Sequence, residues 1–438
     1  MLTRNSLSPP LRVLTNIHFQ RERLMLSKSE HYTKDKLEDL RLRRLREVSL
    51  AAYHNTRYYK WLFDQCNFDP ATIKYVSDIR VLPILTKEIV QSRLADLVSK
   101  AVPPSSLESI STGGSTGIPL QFFIEKNVTY EKTLAYEWRQ YNWGGVAYFD
   151  RRVRIRGLVL DNIYKKAGHN LYLSALHLTR SNVEDYIHLM EEFSPVYIEA
   201  YPSSIILISQ WLLDTGYVPH LPHLKSVFLS SETVSEAEQN LIRKCFRCLV
   251  LNKYGNSEQA TIIGQCERGA MHDFEEYSLT EFLDENGLEV NQGESELIST
   301  SFVNFATFFI RYRTGDLVDA GSPSCDCGRS HRTVNRIIGR SQDYLIGKHG
   351  EHISVAAINS HSDAFNGLLE IQYVQDQPGQ AVIKVVASNA LRVAQKNKMV
   401  EEATYRAAGN VQFSLQEVDA IEKSSRGKKK FILRRMNE

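Results

Sequence analysis

The sequence predicts an α/β protein. A large N-terminal α/β domain holds parallel strands and an antiparallel β part, and a small α+β domain follows. Three observations carry this. Between residues 151 and 255 short apolar runs alternate with helical stretches, the order that builds a parallel sheet with covering helices. Residues 278–321 change to alternating strands separated by the turn signals Glu285-Asn286-Gly287 and Gln292-Gly293, the pattern of antiparallel pairs. Beyond residues 340–343 the mixture becomes α+β again. A length of 438 residues suits two or three domains and a sizeable core.

Taken in order, residues 1–28 read as an N-terminal extension and Ser29 to Asp78 as largely helical, with Leu37, Leu40, Leu42, Leu45 and Val48 at helical spacing. Pro103-Pro104 then breaks the chain before a glycine-rich segment. The runs RRVRIRGLVL, SPVYIEAYP, LKSVFLSS and FRCLVLNKYG read as strands, and SEAEQNLIRKCF as the crossover helix before the last of them. In the C-terminal part YVQDQPGQAVIKVVA reads as a hairpin and ALRVAQKNKMVEEATYRAA as a helix. The expected domains are therefore 29–340 and 341–438. No period of 20 to 50 residues repeats, which excludes a solenoid or propeller.

Composition narrows the function classes. Hydrophobic residues make up 42% and charged residues 24%, the balance of a globular chain rather than a disordered one. A formal net charge of +2 gives the molecule no general attraction for nucleic acid or anionic membrane. Six cysteines are too few for a disulfide scaffold. No apolar run approaches the roughly 20 residues of a membrane span, and Pro9, Pro10, Arg12 and Asn16 interrupt the N-terminus where a secretion signal needs a continuous apolar core. The expectation is a soluble, cytoplasmic protein with small-molecule partners.

Three segments carry chemistry. In Ser111-Thr112-Gly113-Gly114-Ser115-Thr116-Gly117-Ile118-Pro119 the glycines let several backbone N–H groups converge and the hydroxyls add donors, which suits the oxygens of a polyphosphate. No Gly-Lys-Ser/Thr follows, so it is not a Walker loop, and a flexible polar loop is the plainer reading. Tyr254-Gly255-Asn256-Ser257-Glu258 follows an apolar run at the carboxyl end of an expected strand, where open α/β sheets place ligands. There an aromatic ring can stack on a base, a hydroxyl can reach a phosphate and a carboxylate can hold Mg²⁺. The alternative is a β-to-α turn in which Ser257 caps the next helix. In Tyr312-Arg313-Thr314-Gly315-Asp316 an acid fixed by a tight turn can accept ribose hydroxyls, and an ordinary hairpin turn is the alternative.

Two further segments follow in order, Arg336-Ile337-Ile338-Gly339-Arg340-Ser341-Gln342-Asp343 and Arg426-Gly427-Lys428. Together the five resemble the adenylate-forming superfamily, and within it the phenylacetate-CoA ligase and CapK branch, named for capsular polysaccharide loci. The resemblance spans roughly residues 30 to 435. It implies an ATP-dependent ligase that activates a carboxylate as acyl-AMP and passes it to an acceptor, coenzyme A or a sugar or amine in polysaccharide biosynthesis. It also assigns roles. Thr112, Gly113, Gly114, Ser115, Thr116 and Gly117 would hold the ATP phosphates, with Gly255 and Ser257 part of the same nucleotide site. Tyr254 would pack on adenine, Glu258 would bind Mg²⁺, Asp316 the ribose, and Arg340 would sit near hinge and ribose. Lys428, on a mobile C-terminal domain, would meet the charge that develops as carboxylate and α-phosphate react. Two departures stand out. Gly113 replaces a hydroxyl residue usual in relatives, and SSRGKKK lets Lys429 or Lys430 substitute for Lys428. An adenylyltransferase that leaves AMP on its product, and a non-enzymatic zinc-containing binding protein, are the alternatives.

Cys266, His272, Cys325 and Cys327 form a chemically complete tetrahedral Zn²⁺ set, and Gly328 permits the tight knuckle of a Cys-x-Cys pair. Relatives in the resembled branch often carry such a structural zinc. Buried or free thiols are the alternative. Cys245 and Cys248 have Cys-x-x-Cys spacing but fall where a helix passes into a strand, and His331 could replace His272. Tyr201-Pro202-Ser203-Ser204 precedes an apolar helix, with Ser203 the expected N-cap, and the resemblance sets this segment near the acyl pocket. Ser230-Ser231-Glu232 reads equally as a helix cap or an adenine contact. Trp138, Tyr141 and Trp143 read as core or pocket wall.

Overall fold

The computed structural model describes residues 15–111, 120–147, 149–321, 325–338, 344–354, 358, 363–365, 368–387, 390–421 and 432–436. The chain divides into two compact units, one drawing on residues 1–111, 120–148 and 251–340, the other on residues 112–119, 149–250 and 341–438.

The first unit begins with helix earlier than the apolar spacing alone suggests. Asn16 caps Ile17–Ser29 by accepting from the His18 and Phe19 N–H groups, and Phe19, Glu22 and Leu26 are buried. Lys34–Asn55 buries Leu37, Leu40, Leu45 and Val48, while Leu42 is only partly covered. Thr56 joins that helix to Arg57–Gln65: its hydroxyl donates to the Ala52 carbonyl at 2.8 Å and accepts from the Tyr59 N–H at 3.1 Å. Tyr59 and Phe63 then pack with Phe302, Phe308 and Phe309 in one core.

The strands of this unit run side by side in the order Ser278–Leu283, Gly293–Ser301, Tyr312–Ala320, Thr333–Ile337, Met271–Asp273, Ile262–Gln265 and Leu249–Gly255. All of these pairings are antiparallel. Helix Thr129–Trp143 lies against them, and its Gln140 amide donates to the Asn252 and Gln265 carbonyls at 2.9 and 3.2 Å. A separate hairpin pairs Leu107–Ser111 with Gln121–Glu125, Ser111 opposite Gln121.

In the second unit Ser226–Ser230, Tyr197–Ala200, Arg152–Arg156 and Asn170–Ser174 are parallel neighbours in that order, with Tyr164–Ala167 antiparallel at the edge. Helices Val183–Phe193, Pro202–Thr215 and Glu236–Phe246 connect them. The alternation that marks a parallel sheet in the sequence is thus realised. The α+β part pairs Leu368–Gln377 with Gln380–Ala387 antiparallel and adds Gln412–Glu417 and Ile432–Arg434 in parallel. Helix Val393–Arg406 packs on this sheet through Met399 and Ala403, in a core that includes Leu176.

Candidate active site and metal centre

Two tyrosine–carboxylate pairs tie the Tyr254 segment to the Tyr312 segment. The Tyr254 hydroxyl donates to Asp316 Oδ2 at 2.7 Å. The Tyr312 hydroxyl donates to Glu258 Oε1 at 2.9 Å. Burial, followed by the Asp316 charge, holds the Tyr254 phenol well above its ordinary pKa, so it remains a donor to the carboxylate.

The backbone explains why these four side chains meet. After Leu249–Gly255 the chain makes a short turn and returns as strand Ile262–Gln265, so no helix follows for Ser257 to cap. Ser257 is exposed. Asn256 closes the turn instead, its Oδ1 accepting the Ala260 N–H at 2.8 Å. Gln259 adopts a left-handed φ of 56°, and the Ser301 hydroxyl holds its carbonyl at 2.7 Å. The turn that carries Glu258 is therefore pinned on both sides.

Asp316 sits on a bulge rather than on a hairpin turn. Glu296 pairs with Leu317 and Ile298 with Arg313, so residues 314–316 stand opposite Leu297 alone, two more than a regular ladder holds. Gly315 at φ 75° supplies the conformation. Thr314 locks it, donating to the Leu297 carbonyl at 2.8 Å and accepting the Asp316 N–H at 3.1 Å. A bulge re-aims a side chain, and here it turns Asp316 onto Tyr254.

The second assembly is the four-donor cluster. Cys266 lies just past Ile262–Gln265, and His272 is the central residue of Met271–Asp273, the returning strand of that hairpin. Cys325 and Cys327 come from the loop before Thr333–Ile337, with Gly328 at φ 79°. The four ligand atoms all lie within 4.8 Å of one another. The Cys266 and Cys325 sulfurs are 3.8 Å apart, and Cys327 Sγ is 3.3 Å from His272 Nε2. A tetrahedral site with metal–sulfur bonds of about 2.3 Å and metal–nitrogen bonds of about 2.0 Å has edges of about 3.8 Å between sulfurs and about 3.5 Å between sulfur and nitrogen. The donors therefore fit a closed four-coordinate ion. Burial raises the Cys266 thiol to about 12 and lowers the His272 imidazole to about 4, so the thiol holds its proton until a metal displaces it and the imidazole is neutral and ready to ligate.

Around the cluster lies a network not foreseen from sequence. Arg329 bonds to Glu30 at 2.8 Å and to Glu267 at 3.0 Å, and its guanidinium lies 4.2 Å from the Trp143 ring centroid. The Trp143 N–H donates to the same Glu30 at 2.8 Å. The Arg329 side chain and backbone both hydrogen-bond to Cys327 and lower its pKa against the effect of burial. His331 faces Glu276 at 3.0 Å rather than the cluster. Of the rival cysteines, Cys245 donates to the Ser209 carbonyl at 3.3 Å, and burial pushes Cys248 up to about 12.

In the second unit Tyr201 is the N-cap position of Pro202–Thr215 and Pro202 its first residue. Ser203 is therefore inside the helix, and its N–H and hydroxyl both donate to Glu232, at 2.8 and 3.1 Å. Glu232 thus serves that helix rather than the one after it, where Ser235 and Glu238 form the capping box. Thr112, Gly113, Gly114, Ser115, Thr116, Gly117, Arg340 and Lys428, with Lys429 and Lys430, lie outside the described residues.

Residues 345–435 match the CapK C-terminal domain family. Protein CapK of Staphylococcus aureus is 26% identical over 437 residues, which cover 92% of this chain and 93% of that one. Phenylacetate-coenzyme A ligase of Thermus thermophilus is 26% identical over 343 residues, 72% of this chain and 73% of that one. Among solved structures, 2-hydroxyisobutyryl-CoA ligase in complex with 2-HIB-AMP and CoA shares the fold, with a TM-score of 0.61 at 17% identity over 93% of this chain and 92% of that one. Among the described residues no helix is long and apolar enough to cross a membrane. With the ordered motifs and the mixed sheet, these likenesses support the resemblance to the CapK-like branch of the adenylate-forming superfamily.

Proposed function

We propose that this chain is an ATP-dependent ligase whose first step joins a carboxylate to AMP. A carboxylate oxygen attacks the α-phosphorus, the bond from that phosphorus to the bridging oxygen breaks, pyrophosphate leaves with the electron pair, and an acyl-AMP anhydride remains. The observation that carries this reading is the double pairing of Tyr254 with Asp316 and of Tyr312 with Glu258, which sets an aromatic ring and two oriented carboxylates at one place. In this reading Asp316, fixed by Tyr254, accepts the ribose hydroxyls, and the Tyr254 ring flanks the base. Glu258, fixed by Tyr312, holds Mg²⁺, which offsets phosphate charge. The 112–117 segment with Gly255 and Ser257 lines the phosphates, Arg340 lies by the ribose, and Lys428 or its neighbours Lys429 and Lys430 stabilise the transition state.

The first acceptor we propose is the thiol of coenzyme A, as the names of the relatives suggest, and the second is a sugar hydroxyl or amine in polysaccharide synthesis. Cys266, His272, Cys325 and Cys327 hold structural Zn²⁺, since four protein donors leave no position for substrate. The test is pyrophosphate release from ATP and Mg²⁺ across a panel of carboxylic acids, with coenzyme A omitted. Release that is lost in Glu258→Gln and Lys428→Ala supports the reading. A wild-type protein that binds no ATP overturns it.

A further inference from the structure

Two arginines flank Tyr312 in the first unit, and the fold treats them oppositely. Arg313 is exposed and pairs with Glu296 at 3.0 Å, a surface contact of a kind that contributes little. Arg311 is buried. Its Nε and Nη2 both donate to Glu281, each at 2.9 Å, in a two-pronged contact with the buried carboxylate of strand Ser278–Leu283. Its Nη1 donates to the Arg80 carbonyl at 3.0 Å and to the Leu82 carbonyl.

The backbone of Arg311 is held as firmly as its side chain. Its φ of 51° is left-handed, a conformation that a long side chain adopts only where its surroundings enforce it. Its N–H donates to the Thr300 hydroxyl at 2.9 Å, and its carbonyl accepts the Leu85 N–H at 2.9 Å. Side chains of extended chain alternate between faces, so a residue outside the extended region decides which face the next one takes. The next one is Tyr312. Its ring meets Phe309 edge to face at 4.9 Å, and its hydroxyl donates to Glu258.

We propose that Arg311 is a positioning residue for the metal-binding carboxylate: its clamp on Glu281 and two carbonyls holds the left-handed turn that aims the Tyr312 hydroxyl, and Tyr312 in turn fixes Glu258. In the adenylation reading, on which this rests, Glu258 holds Mg²⁺. A buried ion pair is a poor source of net stability, because lost hydration offsets the attraction, so what this one supplies is direction. Metal use is then the property Arg311 controls, since Tyr254 and Asp316 are fixed separately through Thr314 and the bulge. Lysine would keep the charge beside Glu281, but it lacks the planar fork that reaches the carboxylate and the carbonyls together.

The experiment is a double-substitution cycle on the full chain with Arg311→Lys and Tyr312→Phe, the fold checked by circular dichroism. Two quantities are read. One is the Mg²⁺ concentration for half-maximal pyrophosphate release at saturating ATP. The other is the Mn²⁺ affinity of the protein with a non-hydrolysable ATP analogue, followed by electron paramagnetic resonance. Tyr312→Phe is expected to weaken both about 10-fold and Arg311→Lys about 3- to 10-fold, with KM for ATP at saturating Mg²⁺ little changed. The double variant should be no worse than Tyr312→Phe alone, because Arg311 acts through that hydroxyl. If Arg311→Lys does not fold, Glu281→Gln, which loosens the clamp from its other side, takes its place in the cycle. Effects that multiply in the double variant, or a loss of stability with unchanged metal dependence, overturn the positioning role, while pyrophosphate release by the wild type leaves the adenylation reading standing. A cycle that closes in Mn²⁺ affinity, with no pyrophosphate released from any acid, sustains the positioning role and sinks the adenylation reading.

Discussion

The four-donor cluster and the tyrosine–carboxylate pairs belong to one unit, and each joins segments more than fifty residues apart, yet they are built on opposite plans. In the cluster every donor faces the other donors, and all four ligand atoms lie within 4.8 Å. In the pairs each carboxylate is steadied by one phenol, on a pinned turn and a bulge that orient it. The first arrangement has room for one ion and nothing else. In the reading proposed above, the second aims its acids at a nucleotide, so that closure makes a part of the scaffold and orientation makes a site for chemistry.

Substitutions can break that contrast. Glu258→Gln should have the largest effect, a loss of about 10²- to 10³-fold in the rate of pyrophosphate release, the scale expected when an electrostatic group is removed from a transition state. Metal content by mass spectrometry and the circular dichroism spectrum should not change. Cys266→Ser should do the reverse. Bound zinc falls below one equivalent and the thermal midpoint drops on the order of 10 °C, while protein that remains folded keeps its KM for ATP. If Cys266→Ser instead abolishes turnover at full fold and stability, the cluster is not merely scaffold.

Two milder changes sharpen the comparison. Arg329→Met removes the bonds to Glu30, Glu267 and Cys327, and zinc affinity in a chelator competition should fall about 10-fold. Tyr254→Phe keeps the ring and removes only the hydroxyl that holds Asp316. The expected result is a rise of about 3- to 10-fold in KM for ATP with kcat little altered. A drop in kcat without a change in KM would place Tyr254 in the transition state rather than in nucleotide binding.

What could be read from the sequence follows the same division. Cys266, His272, Cys325 and Cys327 stand out because residue type alone restricts their chemistry, and Gly328 marks the turn they need. The strand alternation of 151–255 and the antiparallel run of 278–321 are visible because burial imposes periodicity. Tyr312 as the partner of Glu258 was not visible, since it depends on how the pinned turn after Gly255 sets Glu258 against a strand 54 positions further on. Arg311 looks no different from Arg313 until Glu281 and two carbonyls are seen to take the first and not the second. Ser203 misleads because Pro202 opens the helix one position before the serine that seemed to cap it. Glu30 and Trp143 gave no signal, because their role depends on Arg329, far away in the chain.

The bulge at residues 314–316 has a consequence for the lineage of this strand. A strand alternates its faces with a period of two, so a one-residue deletion there would not trim a loop. Without Gly315, the remainder of the strand would exchange sides: Val318, now fully buried, would trade places with the partly exposed Asp319. As far as folding alone is concerned, point changes at Asp316 are open to drift, whereas changes of length are closed to it. The spacing between Tyr312 and Val318 is therefore the feature of this segment that selection on folding alone would preserve, even in a descendant that had given up catalysis.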